Sequence, residues 1–297
     1  AVTTAGLPLG VLRADFPRPH PKPPKTRDKT GRLRDVRSSA IPIEKKKTFA
    51  WIEALRDLGT VSEQMPGTRL LSVMDREADF YELFDEWRRN PRVGLLVRVK
   101  HNRKTATATK LFEAVASTPV RGRYDIRVPR QSARPKRSKQ KARPARKERT
   151  AKVELRYTRL TLPAPEDSPL RGKLPIELSI IHLVERNPPP GTKRLEWFLL
   201  TTIHVHDVQT AKQCIRWYCL RWRIEDWHRV LKSGCRIEEL GHKTAGRIQR
   251  AVAINLVIAW RIMLMTLLGR ETPELPPEVV FSDTEIEVLR RHAKKTA

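Results

Sequence analysis

Residues 218–232 read Tyr218-Cys219-Leu220-Arg221-Trp222-Arg223-Ile224-Glu225-Asp226-Trp227-His228-Arg229-Val230-Leu231-Lys232. At about 100° per residue on a helix, Tyr218, Arg221, Glu225, Arg229 and Lys232 fall in one stripe roughly 80° wide. Leu220, Ile224, Trp227 and Leu231 gather on the opposite side. The pattern predicts a helix anchored in a core by one face. The other face presents one carboxylate among three cations and a phenol. Such a carboxylate can hold a divalent metal if further carboxylates converge on it, which leaves the cations for phosphates. The same spacing also describes a solvated helix face with an ordinary Glu225–Arg229 pair. On geometry alone the solvated face is the more common outcome.

A second carboxylate stands out upstream. Residues 70–74 form a short, mostly apolar run of strand length, and Asp75 follows directly. Open α/β sheets place their ligand sites at such strand ends, although an Asp there equally caps the next helix. Residues 80–87 then read as a helix and 93–100 as a strand. Strand, helix, strand in that order predicts a partly parallel α/β sheet.

The rest of the chain fills in around these segments. Residues 1–14 predict two short strands about the Gly6–Gly10 turn, and 17–37 a Pro- and Lys-rich connection. Residues 44–58 have helical spacing. Residues 129–152 are rich in Arg and Lys, lack bulky apolar residues and predict a basic loop. Strand-like runs flank it at 124–128, 153–162, 174–184 and 195–203. Helices return at 208–233 and 244–268. Ser282 and Glu285 have capping-box spacing and open a last short helix. The boundaries expected from this are 1–101, a β-rich insertion over 102–204, closing helices over 205–270, and a linker with a further helix over 271–297.

Composition narrows the function. Sixty Lys and Arg against 33 Asp and Glu give a formal net charge of +27. That field argues against an ordinary metabolic enzyme and for a polyanionic partner, nucleic acid above all. The three cysteines include no C-x-x-C pair, and their odd count argues against a disulfide framework, so a reducing cytoplasm is expected. His204 and His206 have no evident third partner for zinc. His228 lies off the Glu225 stripe. No signal peptide is expected. The apolar run 251–268 carries Asn255 and Arg261, so it reads as a buried helix and not as a membrane span.

Tyr218-x2-Arg221-x3-Glu225-x6-Lys232 resembles the Y-R-E-K motif of a large group of bacterial insertion-sequence DDE transposases. Asp75-Arg76-Glu77-Ala78-Asp79 resembles the same group's second catalytic Asp with the residues after it. Residues 98–104 and 188–201 are similar as well, so the resemblance runs from about Ala1 to about Leu268. It implies a ribonuclease-H-like α/β core with a mostly-β insertion before the last catalytic helix. It also implies two-metal phosphoryl transfer on double-stranded DNA, with Mg²⁺ or Mn²⁺ held by two Asp and one Glu. Asp75 and Glu225 match two of those three ligands. The resemblance implies phosphate contacts for Arg98, Tyr218, Arg221, Arg229 and Lys232. It implies stacking on a flipped base for Trp197, which a core tryptophan of a strand would also satisfy. It further implies a homodimer. The family's first Asp has no well-placed counterpart, since Asp15, Asp28 and Asp35 all fall outside a suitable strand. The resemblance therefore implies a cut-and-paste transposase that cleaves transposon ends and transfers strands, here as a piece lacking the first Asp and expected by itself to bind DNA without cutting it. A binding module without chemistry is the alternative, and a plain nuclease on the same fold is less consistent with the Y-R-E-K stripe.

Overall fold

The computed structural model describes residues 1–15, 25–27, 31–35, 41–130, 132, 133, 135, 136, 142, 144–166, 170 and 172–296. Much of the expected 17–37 connection, and part of the basic loop over 129–152, lie outside those residues. The chain forms two compact units. One is Pro19–Tyr218; the other combines Ala1–Arg18 with Cys219–Ala297.

The Pro19–Tyr218 unit begins with β1 (Lys25–Arg27) and β2 (Leu33–Asp35), an antiparallel pair. A 3₁₀ turn at Ile43–Lys45 precedes α1 (Phe49–Glu63), so the helix starts five residues later than its spacing predicts. Then come β3 (Leu70–Met74), α2 (Tyr81–Arg89) and β4 (Val93–Arg98), all close to expectation. A six-residue helix, α3 (Leu111–Ala116), follows within the stretch expected to be mostly β. Its Leu111 and Val115 are one turn apart and fully buried, a pattern too short to register as a period. Four strands complete the sheet: β5 (Gly122–Val128), β6 (Arg149–Leu162), β7 (Ile176–Glu185) and β8 (Glu196–Thr201).

These strands form one six-stranded mixed sheet in the order β3-β4-β8-β7-β6-β5. β3 and β4 are parallel, joined by the α2 crossover, and every other pair is antiparallel. Alternation along the strands builds two cores, one per face. Leu95, Val97, Leu178, Ile180 and Leu200 pack with α1, α2 and α3. Leu96, Val153, Leu155, Ile181, Leu183 and Leu199 pack with Ala211, Cys214, Ile215 and Tyr218 of α4 (Val208–Leu220).

In the second unit, residues 1–14 depart from the two strands expected. Only one bridge forms, between Val2 and Pro8, around Gly6 at φ +95°. Pro8 has no N–H to extend a ladder, and the positive φ suits glycine. The helix predicted over 208–233 is interrupted. After α4, residues 221–222 make a tight turn, α5 (Arg223–Arg229) follows, and Val230–Gly234 widens into a π turn. Trp222 N–H bonds Cys219 C=O at 3.2 Å and Ile224 N–H bonds Arg221 C=O at 3.2 Å, the three-residue steps that break the α ladder.

Helix α6 (Ala245–Glu271) starts at Thr244, whose hydroxyl accepts from Arg247 N–H at 3.4 Å. The reading of 251–268 as a buried helix does not hold. Leu256, Ala259 and Met263 are buried, but Ile254, Val257, Ile258 and Ile262 are exposed. By length and composition α6 is, among the described residues, the one helix that could cross a membrane. Its Arg261 instead pairs with Glu285 at 2.5 Å.

The predicted capping box opens α7 (Asp283–Thr296). Ser282 N–H donates to Glu285 Oε2 at 2.9 Å, and Glu285 N–H donates to Ser282 Oγ at 3.4 Å. Ser282→Ala is expected to destabilise this helix by about 1 kcal/mol. Amide exchange across the first turns of α7 should quicken, and unchanged exchange would deny the cap its role.

Candidate DNA and metal site

Asp75 and Arg98 hold equivalent places in the sheet. The last parallel register pair of β3 and β4 is Met74 with Val97, and each of the two residues follows directly. They therefore stand at the carboxyl ends of adjacent parallel strands, where open α/β sheets build ligand sites. Asp75 is half-buried and caps the 3₁₀ turn Arg76–Ala78, its Oδ1 accepting from Glu77 N–H at 2.9 Å. The capping role considered from sequence is thus real. It uses one carboxylate oxygen and is compatible with ligation through the other.

Three residues singled out from sequence meet in this unit. The Arg98 guanidinium lies 5.7 Å from the Trp197 ring centre, a cation–π distance. Tyr218 meets the same indole edge-on at 5.4 Å. Trp197 is half-buried and packs against the second core, so it has the anchoring of a core residue while leaving part of its ring accessible.

Tyr218 itself departs from the stripe drawn around it. It is 1% exposed. Ala211, Cys214, Ile215 and Tyr218 share the spacing of an apolar helix face, and that face is the one α4 turns to the sheet. The phase set by residues 211–218 wins over the phase set by 218–232. The break at 221–222 lets the two coexist.

Past the break, the charged residues pair locally. Arg221 contacts Glu225 at 3.4 Å and lies over the Trp222 ring at 5.1 Å. Arg229 pairs with Asp226 at 2.9 Å, not with Glu225 as the simple four-residue spacing suggests. Lys232 pairs with Glu238 at 2.9 Å. Asp226 and Glu238 were not anticipated, because pairs set by a tight turn and a π turn have no fixed spacing to read. Glu225 is half-exposed and Arg221 mostly covered. Trp227 and Leu231 do anchor this segment, packing on Leu256 and Ala259 of α6, whereas Ile224 is exposed. His228 sits near Lys232, and burial together with that charge pushes its imidazole below its ordinary pKa.

The remaining candidates are placed simply. His204 and His206 stack at 5.8 Å, with Arg159 close to the first and Asp207 to the second. Asp15 pairs with Arg13 at 2.7 Å. Asp35 lies in β2, and Asp28 is outside the described residues. Among the described residues no three His, Cys, Asp or Glu side chains gather as a metal site.

A family model described as the transposase DDE domain matches residues 51–261. That span takes in β3, β4, the sheet, α4, α5 and most of α6. It includes Asp75 and Glu225 in that order. The enzymes of this family carry out phosphoryl transfer on DNA and generally use divalent metal ions, with DNA transposition and recombination as the outcome. Because that model matches well over half of its length, the chain belongs to the DDE transposase family.

Proposed function

We propose that this chain is the catalytic-core part of a cut-and-paste transposase of the Y-R-E-K group, built on a ribonuclease-H-like core. The observation that carries this reading is the family match across both Asp75 and Glu225. Asp75 and Glu225 would serve as metal ligands, and their hard oxygens suit Mg²⁺ or Mn²⁺. When bound, such ions supply charge stabilisation for a phosphoryl transfer. Arg98, Arg221, Arg229 and Lys232 would hold phosphates of a duplex end. Trp197 would offer a face for an unstacked base, with Tyr218 bracing its edge. Among the described residues β3 has a hydrogen-bonded neighbouring strand on one side only. We read its open edge as the place for a further strand bearing the third carboxylate. A homodimer acting on double-stranded DNA in a bacterial cytoplasm completes the proposal.

The second reading, a module that binds DNA without cutting it, is supported by the net charge of +27, which attracts a duplex without any metal chemistry. One assay separates the two. The purified chain is incubated with supercoiled plasmid and Mg²⁺ or Mn²⁺. Binding without nicking is expected. Metal-dependent nicking that disappears in Glu225→Ala would mean that this chain carries a working ligand set.

End-holding is testable as well. Lys232→Ala and Arg221→Ala are each expected to weaken duplex binding about tenfold and lower the salt slope by about 1. Lys47→Ala, an exposed lysine elsewhere, serves as the control. Equal losses in all three variants would reduce the stripe to bulk charge.

A further inference from the structure

We infer that Asp79 is a positioning residue that clamps the Asp75 turn to the end of the Arg98 strand. The inference rests on reading Asp75 and Arg98 as site residues. The Asp79 side chain is fully buried. Its Oδ2 accepts from Lys100 N–H at 2.7 Å and His101 N–H at 3.0 Å. Its Oδ1 faces the Arg103 guanidinium in an ion pair. All three donors come from the segment that continues β4 past Arg98.

On the other side, Asp79 ends the short turn that Asp75 opens. Ala78 N–H bonds Asp75 C=O at 3.2 Å, and Glu77 N–H bonds the Asp75 carboxylate. The carboxylate of Asp79 is thus the bridge between the loops that leave two adjacent parallel strands. A buried charge is tolerated only when it is well compensated, and two amides plus a guanidinium do that here. Such a bridge keeps the two strand ends in register, so that the acid at one end and the cation at the other cannot drift independently.

Burial alone does not explain the arrangement. Glu185 is equally hidden and has a similar donor set, the Arg149 guanidinium and Leu195 N–H at 3.0 Å. It ties β6 to the β7–β8 connection, and neither Glu185 nor its partners Arg149 and Leu195 are among the residues proposed for the site. Asp85, another buried carboxylate, ties α2 to Lys173. Of the three, only Asp79 joins two loops that each begin at a candidate site residue.

The test compares Asp79→Asn with Glu185→Gln in the full chain. Hydrogen exchange followed by mass spectrometry should show residues 75–78 and 99–103 losing protection together in Asp79→Asn, with β7 unchanged. Duplex DNA affinity should fall about tenfold, the size expected when a group behind a contact residue is removed. Combined with Arg98→Ala, Asp79→Asn should add little further loss. Glu185→Gln should lower stability and leave DNA affinity as it was. Arg103→Lys keeps the charge but loses the planar fork, and gives the same readouts more mildly if Asp79→Asn does not fold. Independent exchange of the two loops, or equal DNA losses in the Asp79 and Glu185 variants, would overturn the inference. If Arg98→Ala alone leaves DNA binding intact, the reading of Arg98 fails, and the exchange result still decides whether Asp79 couples the loops.

Discussion

Asp85→Asn is expected to lower the stability of the sheet-bearing unit by ~3–5 kcal/mol, the cost of removing one partner from a buried ion cluster. The Asp85 side chain is 4% exposed and is surrounded by Arg88 at 2.5 Å, Arg89 at 2.8 Å and Lys173 at 2.8 Å. Asparagine fills the same space but leaves three cations around a neutral group. In thermal unfolding, a loss of that size corresponds to a drop on the order of 10 °C for a unit of this length. Arg88 and Lys173 also pin the loop near Leu174, whose carbonyl accepts from Tyr81 Oη and Arg88.

The pH dependence has a definite sign. Burial pushes the Asp85 carboxyl up, but Lys173 and the two arginines outweigh it and hold its pKa below the ordinary Asp value. A pKa depressed by folding gives stability that is present above the unfolded-state value of about 4 and is lost as the pH falls through the folded-state value. The melting temperatures of the native chain and Asp85→Asn should therefore differ by a constant amount near neutrality. The gap should narrow below about pH 4. A gap that stayed constant down to pH 2 would show that the charge of Asp85 contributes nothing.

The larger effect concerns DNA. Duplex affinity is expected to fall by ~10³–10⁵ between 50 and 200 mM salt, as for proteins that neutralise six to ten phosphates. The formal charge of +27 supplies the field. Residues 129–152 alone carry eleven Lys or Arg against one Glu. Arg98, Arg221, Arg229 and Lys232 add the contacts proposed at the site. Fluorescence anisotropy of a labelled duplex across a salt series measures the slope directly. A slope near zero would remove the phosphate backbone as the source of affinity and with it the polyanion reading. A steep slope shared by all sequences, with no preference for one end, would favour the binding-only module over an end-specific transposase.

Much of the fold around Asp75 was legible in the chain because it depends on short-range order. An apolar run of strand length followed by Asp75 gave β3 and its acid. The crossover through 80–87 gave the parallel pair with β4, because a right-handed strand–helix–strand unit has few other solutions. Ser282 and Glu285 gave the cap of α7 for the same local reason. The resemblance carried by Tyr218, Arg221, Glu225 and Lys232 agreed with the family later matched across residues 51–261.

What the chain alone misjudged was phase and burial. The stripe from Tyr218 to Lys232 assumes one unbroken helix, and a two-residue turn with a π turn after it destroys that assumption. Tyr218 went inside because α4 packs on the sheet through residues 211–218, a choice made by the opposing strands and not by the tyrosine. The 251–268 run looked buried because it is apolar, yet only one side of α6 meets other side chains of its unit. Asp79 was read as part of a motif, but its three donors come from more than twenty residues downstream in one loop.

The sequence by itself determined the basic charge, the acid at the end of β3, the broad DDE family and the local caps. These rest on composition and on contacts between residues a few positions apart. Only the tertiary structure decided that Tyr218 is buried, that Arg98 lies on Trp197 and that Asp79 joins two strand ends. Those outcomes depend on which faces meet across the sheet, and a face is buried only when something folds over it.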